Sequence, residues 1–389
     1  MIENIGIQYY LVIGFGVLSF VITLSNIKFF NFLNDSVVTL DGQNEPPWVS
    51  VLVPARNEEA NISKCISALI KQNYKLLEII VLDDRSDDCT SDLVSKFVAS
   101  NSKVKLISGL PLPDGWTGKN WACHQLSQAS GGDFLLFIDA DTILSEDSVS
   151  NALIESMDHS VDLLTVMPHR ISSCVIEWLM YPFIDWVSFC WMPMYMAAKS
   201  KSPNLSATFG QFILFTREAY NIIGGHKVIA VNPLDDFELG RMVKRHGLKW
   251  MLFGCTNSVK VLSYQGNLDA FKGVSRSVFP ALYYRVSVLM LLVFGLILFT
   301  LLPPITIVLS TMAYYQESHF LLMAFVSLSM FTISWIIVCR KFHHSLLTIP
   351  FYPVAVVLMV LVAFYSLISY SFGVTSWKNR KIVRRRISL

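Results

Sequence analysis

Phe134-Leu135-Leu136-Phe137-Ile138-Asp139-Ala140-Asp141 carries five apolar residues straight into a pair of acids. A short, unbroken apolar run of this kind predicts a strand buried on both faces. The same grammar appears twice upstream. Leu77 to Asp83 is a second such strand, its run Ile79-Ile80-Val81-Leu82 closed by Asp83-Asp84, and Val49-Ser50-Val51-Leu52-Val53-Pro54 stops at its proline. Between these runs, a helix start at Asn57-Glu58-Glu59 leads into Ile62, Cys65, Ile66, Leu69 and Ile70 at helical spacing. Further helices are expected from Thr90 and around Lys119 to Gln128, with a strand at Val104 to Ile107. Strands alternating with helices predict an α/β fold with a mainly parallel sheet. In such sheets ligands sit beyond the carboxyl ends of the strands, where these acids fall.

Outside this region, about residues 46–264, the composition changes. The 389-residue chain is 53% hydrophobic and only 15% charged, where about a quarter charged is usual. Tyr9 to Val21 is an uncharged apolar run without a basic leader, which predicts an uncleaved N-terminal transmembrane anchor over residues 1–30. Val286 to Leu309, Phe320 to Val338 and Leu346 to Phe372 follow an interfacial segment, 265–285. Each has about the 20 residues needed to cross a hydrocarbon core, so 286–373 reads as C-terminal transmembrane helices. Residues 374–389 form a basic tail with Lys378, Arg380, Lys381, Arg384, Arg385 and Arg386. Three simple C-terminal crossings would put that tail opposite the central domain, whereas the positive-inside rule wants both in the cytoplasm. A re-entrant piece in the last run, which holds Pro350 and Pro353, is one way to reconcile them, and the sequence leaves this open.

Residues 174–197 are apolar and aromatic yet contain Glu177 and Asp185. Acids are costly at mid-membrane, so the segment is expected to skim the membrane surface, with ordinary core helices as the alternative. The net charge of +2 gives no reason to expect nucleic acid as a partner. The seven cysteines are scattered singly, which predicts reduced packing residues rather than a zinc site or disulfides.

Asp139-Ala140-Asp141 puts two hard oxygen ligands at a rigid strand end, a set suited to Mg²⁺ or Mn²⁺ shared with phosphate oxygens. A third acidic cluster, Asp235-Asp236-Phe237-Glu238, opens a helix after Asn232-Pro233. For any one acidic pair, turn chemistry or a helix cap is an equal alternative. Three pairs on one open sheet argue for a site.

Taken in order, Val53-Pro54-Ala55-Arg56-Asn57-Glu58, Leu82-Asp83-Asp84-Arg85-Ser86-Asp87-Asp88 and Asp139-Ala140-Asp141 resemble the three opening motifs of glycosyltransferase family 2 enzymes with the GT-A fold. Gly210 through Arg217-Glu218 and Gly224-Gly225-His226 are similar to the family's acceptor-side segment, which includes Gln211. Asp235-Asp236-Phe237-Glu238-Leu239-Gly240 resembles its acidic signature. The resemblance implies that Pro54, Ala55 and Glu58 line the nucleotide pocket and that Asp84 accepts a hydrogen bond from a uracil ring. It implies Asp139 at the ribose or metal, Asp141 at the metal, and Lys119 reaching the nucleotide. Gly210, Gln211 and Asp235 fall on the acceptor side, and Asp236 is implied as general base.

Gly115-Trp116-Thr117-Gly118-Lys119-Asn120-Trp121-Ala122-Cys123 and Trp377-Lys378-Asn379-Arg380 further resemble carotenoid- and hopanoid-associated members of the family. The processive members' Gln-x-x-Arg-Trp motif has no counterpart in Phe271 to Arg276, so single-sugar transfer is expected. Arg85 stands where the family has glycine. The expectation is thus an integral membrane enzyme with its catalytic domain in the cytoplasm, a UDP-sugar donor, and a membrane lipid acceptor such as a carotenoid. Polyprenyl-phosphate or sphingolipid-type transfer is the alternative within enzymes, and a non-catalytic membrane scaffold the alternative outside them.

Overall fold

The computed structural model describes residues 2–33, 46–262, 264–312, 318–378, 380, 381 and 387. Half of the basic tail, with Asn379 and Arg384 to Arg386, lies outside the described residues. The chain opens with helix α1 (Ile2–Phe29). Strand β1 (Val49–Ala55) leads to α2 (Ile62–Ile70), β2 (Leu77–Asp83), α3 (Thr90–Ser100) and β3 (Val104–Ser108). Then come α4 (Gly118–Ala129), β4 (Phe134–Phe137), β5 (Thr142–Leu144), α5 (Ser148–Asp158), β6 (Leu163–Met167) and β7 (His169–Arg170). The helix expected at Asn57 starts only at Ile62, because Asn57 takes a left-handed turn, φ 53°, that an α-helix cannot contain.

The main sheet has the order β3-β2-β1-β4-β8-β6-β9, with β8 at Ile213–Thr216 and β9 at Trp250–Gly254. Neighbours run parallel except β8, which is antiparallel to both β4 and β6. Val49, Val51 and Val53 of β1 face one core with α2, while Leu52 faces the other with α4. Burial on both faces explains why β1, β2 and β4 read as continuous apolar runs rather than alternating ones. The parallel neighbours β1, β2 and β4 bring the Glu58, Asp84 and Asp139-Ala140-Asp141 segments to one edge. A small second sheet, β5-β10-β7 with β10 at Val259–Val261, flanks it.

The segment expected to skim the membrane forms α6 (Val175–Trp191) and α7 (Met194–Lys199), and ten residues of α6 are buried. Its acids are satisfied inside the protein. Glu177 accepts from Ser173 N at 2.6 Å, Ser173 Oγ at 2.7 Å and Tyr181 Oη at 2.6 Å. Asp185 is held by Arg170 of β7 and by His344 Nε2 at 2.7 Å. Much of α6 is thus packed within the protein, and Val175, Tyr195 and Met196 are left as exposed apolar residues.

After β8 come α8 (Arg217–Ile222), α9 (Gly225–Val228) and α10 (Asp235–Arg245), and after β10 comes α11 (Asn267–Ala281). The C-terminal region holds α12 (Val286–Leu296), α13 (Leu302–Thr311) joined to it by a π-helical turn, α14 (Ser318–Lys341), and α15 (Tyr352–Phe372). A 3₁₀ segment, Leu346–Phe351, precedes α15, and a short hairpin of β11 (Ser376–Trp377) and β12 (Arg380–Lys381) follows it. Among the described residues four helical stretches are long and apolar enough to cross a membrane: Ile7–Phe29, Val286–Thr311, His319–Lys341 and Leu346–Phe372.

α1, α13 and α14 meet far from the sheet, where Tyr9 Oη lies 2.7 Å from Thr306 Oγ1 and its ring stacks on Phe320. Asn26 ties the other end of α1 to the turn between α6 and α7 through Phe189 O, Met192 O and Met194 N. Both flanks of the last apolar run touch the α/β domain. His344 binds Asp185 on one flank, and Lys378 binds Glu58 at 3.0 Å on the other.

Candidate active site

Glu58, Lys119, Asp139, Asp141, Gly210, Gln211, Asp235 and Asp236 come together around one cleft of about 750 Å³ at the carboxyl edge of the sheet. Asp139 and Asp141 follow β4, as the apolar run ending on acids requires. Asp235 and Asp236 open α10, where carboxylates complement the helix amino terminus. Pro54, Ala55 and Asp84 do not line the cleft. Ala55 is buried in β1, and Asp84 is only 2% exposed.

Lys119, near the start of α4, is the hub. Its Nζ lies 2.9 Å from Asp139 Oδ1 and 3.3 Å from Asp235 Oδ2, so one side chain bridges the strand-end acids and the α10 acids. Burial pushes its pKa down, but Asp139 and Asp235 outweigh burial and leave it well above the ordinary lysine value. Gly210 packs close beside it, and a Cβ there would come 3.1 Å from Lys119 Nζ and 3.4 Å from Asp236 Oδ2.

Asp236 is oriented by two backbone donors: Gly210 N at 3.2 Å to Oδ2 and Phe237 N at 2.8 Å to Oδ1. Burial first, and the neighbouring Asp235 second, raise its pKa to about 7. A carboxylate with that proton affinity, at the wall of a cleft, has the properties of a general base working near neutral pH.

At the opposite wall, Asp141 Oδ1 is buried and has no hydrogen-bond partner among the described residues. Burial, Asp139 and Glu58 push its pKa well up. Burial raises Asp139 too, against Lys119, which pulls it down. An orphaned carboxylate oxygen beside a second carboxylate fits a hard divalent cation. Among the described residues no group of three or more His, Cys, Asp or Glu side chains converges into a full protein cage. Two carboxylates completed by phosphate oxygens and water suit Mg²⁺ or Mn²⁺ better than such a cage would.

His226 plays no part in this chemistry. Tyr220 Oη sits 2.8 Å from its Nδ1, and burial lowers the imidazole pKa to about 3, so it is a neutral packing residue. Arg85, at the position of the family glycine, adopts φ 56°. That left-handed turn is what glycine would accept freely. Here Arg56 holds it instead, donating from Nη1 to Asp84 O at 2.6 Å and to Arg85 O at 2.7 Å.

Tyr264, Asp269 and Arg276 also line the cleft, from α11 and the turn before it, and sequence reasoning did not single them out as site residues. The Tyr264 ring lies against Gly273, where a Cβ would come within 2.1 Å of it. α11 is pinned to the apolar α15 by Tyr370 Oη donating to Arg276 O at 2.8 Å and by Phe279 N donating to Ser366 Oγ at 3.0 Å. One wall of the cleft is therefore continuous with the membrane-type helices. Lys378 and Arg380 complete the lining, although the sequence placed them in a basic tail and a subgroup motif and not among the site residues.

Residues 50–224 match the family model of glycosyl transferase family 2. A 4,4'-diaponeurosporenoate glycosyltransferase of Staphylococcus haemolyticus is 29% identical over 204 residues, covering 51% of this chain and 52% of that protein. Its namesake in Staphylococcus aureus is 28% identical over 195 residues, 49% of this chain and 50% of that one. The chain thus spans about half the length of the curated relatives it matches. Among solved structures, a mannosyltransferase of Pyrobaculum calidifontis in complex with GDP-Man and Mn²⁺ superposes with a TM-score of 0.52 at 18% identity. That match covers 93% of this chain and 99% of the other, and it establishes a shared GT-A fold.

Proposed function

We propose that this chain, which carries a glycosyltransferase family 2 domain on a GT-A fold, transfers a single sugar from a UDP-sugar to a membrane lipid, with inversion at the anomeric carbon. The observation that carries the reading is the Lys119 bridge. It joins Asp139, next to the cation acid Asp141, to Asp235, the immediate neighbour of the proposed base Asp236, through one side chain in a single cleft.

Inverting transfer is one in-line displacement: the acceptor oxygen attacks C1 as the nucleoside diphosphate leaves. It requires a base at the acceptor and positive charge at the leaving group, and no protein nucleophile. Asp236, fixed by Gly210 N–H and Phe237 N–H, takes the acceptor proton. Lys119 presents its ammonium to the diphosphate while keeping Asp139 and Asp235 neutralised. Mg²⁺ or Mn²⁺, when bound at Asp141 and Asp139, supplies further charge against the departing diphosphate. The acceptor comes from the side of α11, whose attachment to α15 supports a lipid such as a carotenoid or another isoprenoid. Polyprenyl-phosphate and sphingolipid acceptors use the same chemistry and are distinguished only by the product.

The relatives are named for a carboxylate compound, and this bears on Asp236. A carboxylate acceptor is already ionised and needs no base, whereas a hydroxyl acceptor does. Transfer by Asp236→Asn, assayed on the full chain with lipid extract and a panel of UDP-sugars, tests the reading. Nucleotide binding retained with transfer lost supports a base acting on a hydroxyl. Transfer retained at the wild-type rate removes Asp236 from that role and points to a carboxylate. A protein that binds nucleotide-sugar yet transfers to no lipid would favour the scaffold. We place the catalytic domain and the described C-terminal hairpin in the cytoplasm. The contacts at both flanks of the last apolar run support a re-entrant piece there rather than a full crossing.

A further inference from the structure

The hairpin after the last apolar helix reaches back to the two acids nearest the expected nucleoside position. Arg380 forks onto Asp84, with Nη1 2.5 Å from Oδ2 and Nη2 3.1 Å from Oδ1. Lys378 Nζ lies 3.0 Å from Glu58 Oε1 and donates to Asn57 O at 2.8 Å. Arg56, from the first motif, donates from Nε to Lys378 O at 3.2 Å. Gly118 gives the guanidinium room: a Cβ there would sit 2.7 Å from Arg380 Nη1 and 3.2 Å from Asp84 Oδ2.

We infer that Arg380 and Lys378 are positioning residues of the donor site, holding Asp84 and Glu58 oriented as ionised acceptors for the base and ribose of the nucleotide. This rests on the glycosyltransferase reading above. Two carboxylates closed into a protein wall lose hydration and favour their neutral forms. Burial does raise the pKa of Asp84, and Arg380 is the largest opposing influence, ahead of Arg56, with Asp83 acting the other way. Glu58 is raised by burial and opposed chiefly by Lys378. A neutral Asp84 is a poor partner for a base that presents a ring N–H, such as N3–H of uracil or N1–H of guanine. An ionised one accepts that hydrogen and repels the bare ring nitrogen of cytosine. The bidentate Arg380 fork uses one lone pair of each oxygen, and because Asp84 is only 2% exposed, a base reaches the others once the side chains in front of it shift. The basic residues after the last apolar run thus do more than satisfy a charge rule for membrane topology.

The test is equilibrium binding of UDP, GDP and CDP, with Mn²⁺, to the detergent-solubilised full chain as wild type, Arg380→Gln, Arg380→Lys and Lys378→Gln, at pH 6.5 and 8.5. Wild type should prefer a nucleotide with a ring N–H over CDP. Arg380→Gln should bind it about tenfold more weakly at pH 6.5, the worth of one hydrogen bond to a charged group. It should lose most of the preference over CDP and regain part of its affinity as the pH rises, the direction in which a carboxyl raised by burial gives up its proton. Arg380→Lys should fall between, since lysine keeps the charge without the fork. Lys378→Gln should weaken all three nucleotides and leave their ratio unchanged. If Arg380→Gln fails to fold, the Arg380→Lys ratio and the Lys378→Gln affinity carry the same comparison. Unaltered affinity and ratio in the variants would overturn the inference while leaving the enzyme reading intact. Tighter binding by Arg380→Gln would overturn it too, making the hairpin a competitor for the site. A wild type that binds no nucleotide overturns both.

Discussion

Replacing Gly240 by alanine asks whether the geometry of α10 sets the position of the proposed base. A Cβ at residue 240 would lie 2.1 Å from Thr208 Oγ1, 3.2 Å from Ser206 O and 3.3 Å from Thr208 Cβ. Thr208 cannot simply swing away. It is fully buried, and its Oγ1 accepts the Trp250 indole N–H at 3.0 Å. If Thr208 rotates, a buried donor is orphaned at a cost of about 1–3 kcal/mol. If α10 lifts instead, the overpacking costs about 1–3 kcal/mol, and Asp236, one turn earlier on the helix, leaves the Gly210 N–H that holds it at 3.2 Å. A displacement of about 1 Å at a reacting group costs on the order of 100-fold in rate. Gly240→Ala should therefore lower kcat for lipid glycosylation by about ten- to 100-fold and lower the unfolding temperature by a few degrees, with UDP affinity nearly unchanged. Adding Thr208→Ala removes the closest contact and should restore part of the rate. A Gly240→Ala protein with wild-type kcat and stability would refute the argument that close approach of α10 to the 206–208 segment positions Asp236.

Three further outcomes follow from the site and the fold. With a hydroxyl acceptor, the rate should climb with pH and level off above about 7, because burial and Asp235 raise the Asp236 pKa to that value and only the ionised form can take a proton. Asp235→Asn removes the second cause and should move the rise to lower pH. Asp141→Ala should abolish the Mn²⁺-dependent part of UDP binding, measured with and without EDTA, and an affinity indifferent to both would remove Asp141 from the cation. Finally, a tag following Leu389 and a tag inserted after Met312 should lie on opposite sides of the membrane in protease-protection experiments on intact and permeabilised cells; both tags on the same side would contradict the re-entrant reading of residues 346–372.

The sheet was legible because burial on both faces makes β1, β2 and β4 unbroken apolar runs, and their ends mark the ligand edge without any tertiary information. Asp139, Asp141 and Asp236 followed from that same local signal, an acid at a strand end or in the first turn of a helix. Contacts between distant segments were not legible. Lys119 meets Asp235 across more than a hundred residues of chain, and nothing near Gly118 announces that partner. Arg380 reaches Asp84 across 296 residues, so a basic cluster after an apolar run read as a basic tail and not as part of the site. Residues 174–197 were opaque in a different way. Glu177 and Asp185 speak against a membrane core, and the sequence does not reveal that Ser173, Tyr181, Arg170 and His344 satisfy them within a buried helix. The antiparallel β8 was also invisible, since a short apolar run carries no direction.

The most direct test of the account is turnover: release of UDP and labelling of lipid by the full-length protein in detergent, with a panel of UDP-sugars, Mn²⁺ and a total lipid extract. The account predicts UDP release that depends on both the metal and the lipid, a labelled lipid carrying one sugar, and loss of both signals in Asp236→Asn without loss of UDP binding. Metal-dependent UDP binding with no labelled lipid from any donor would contradict it.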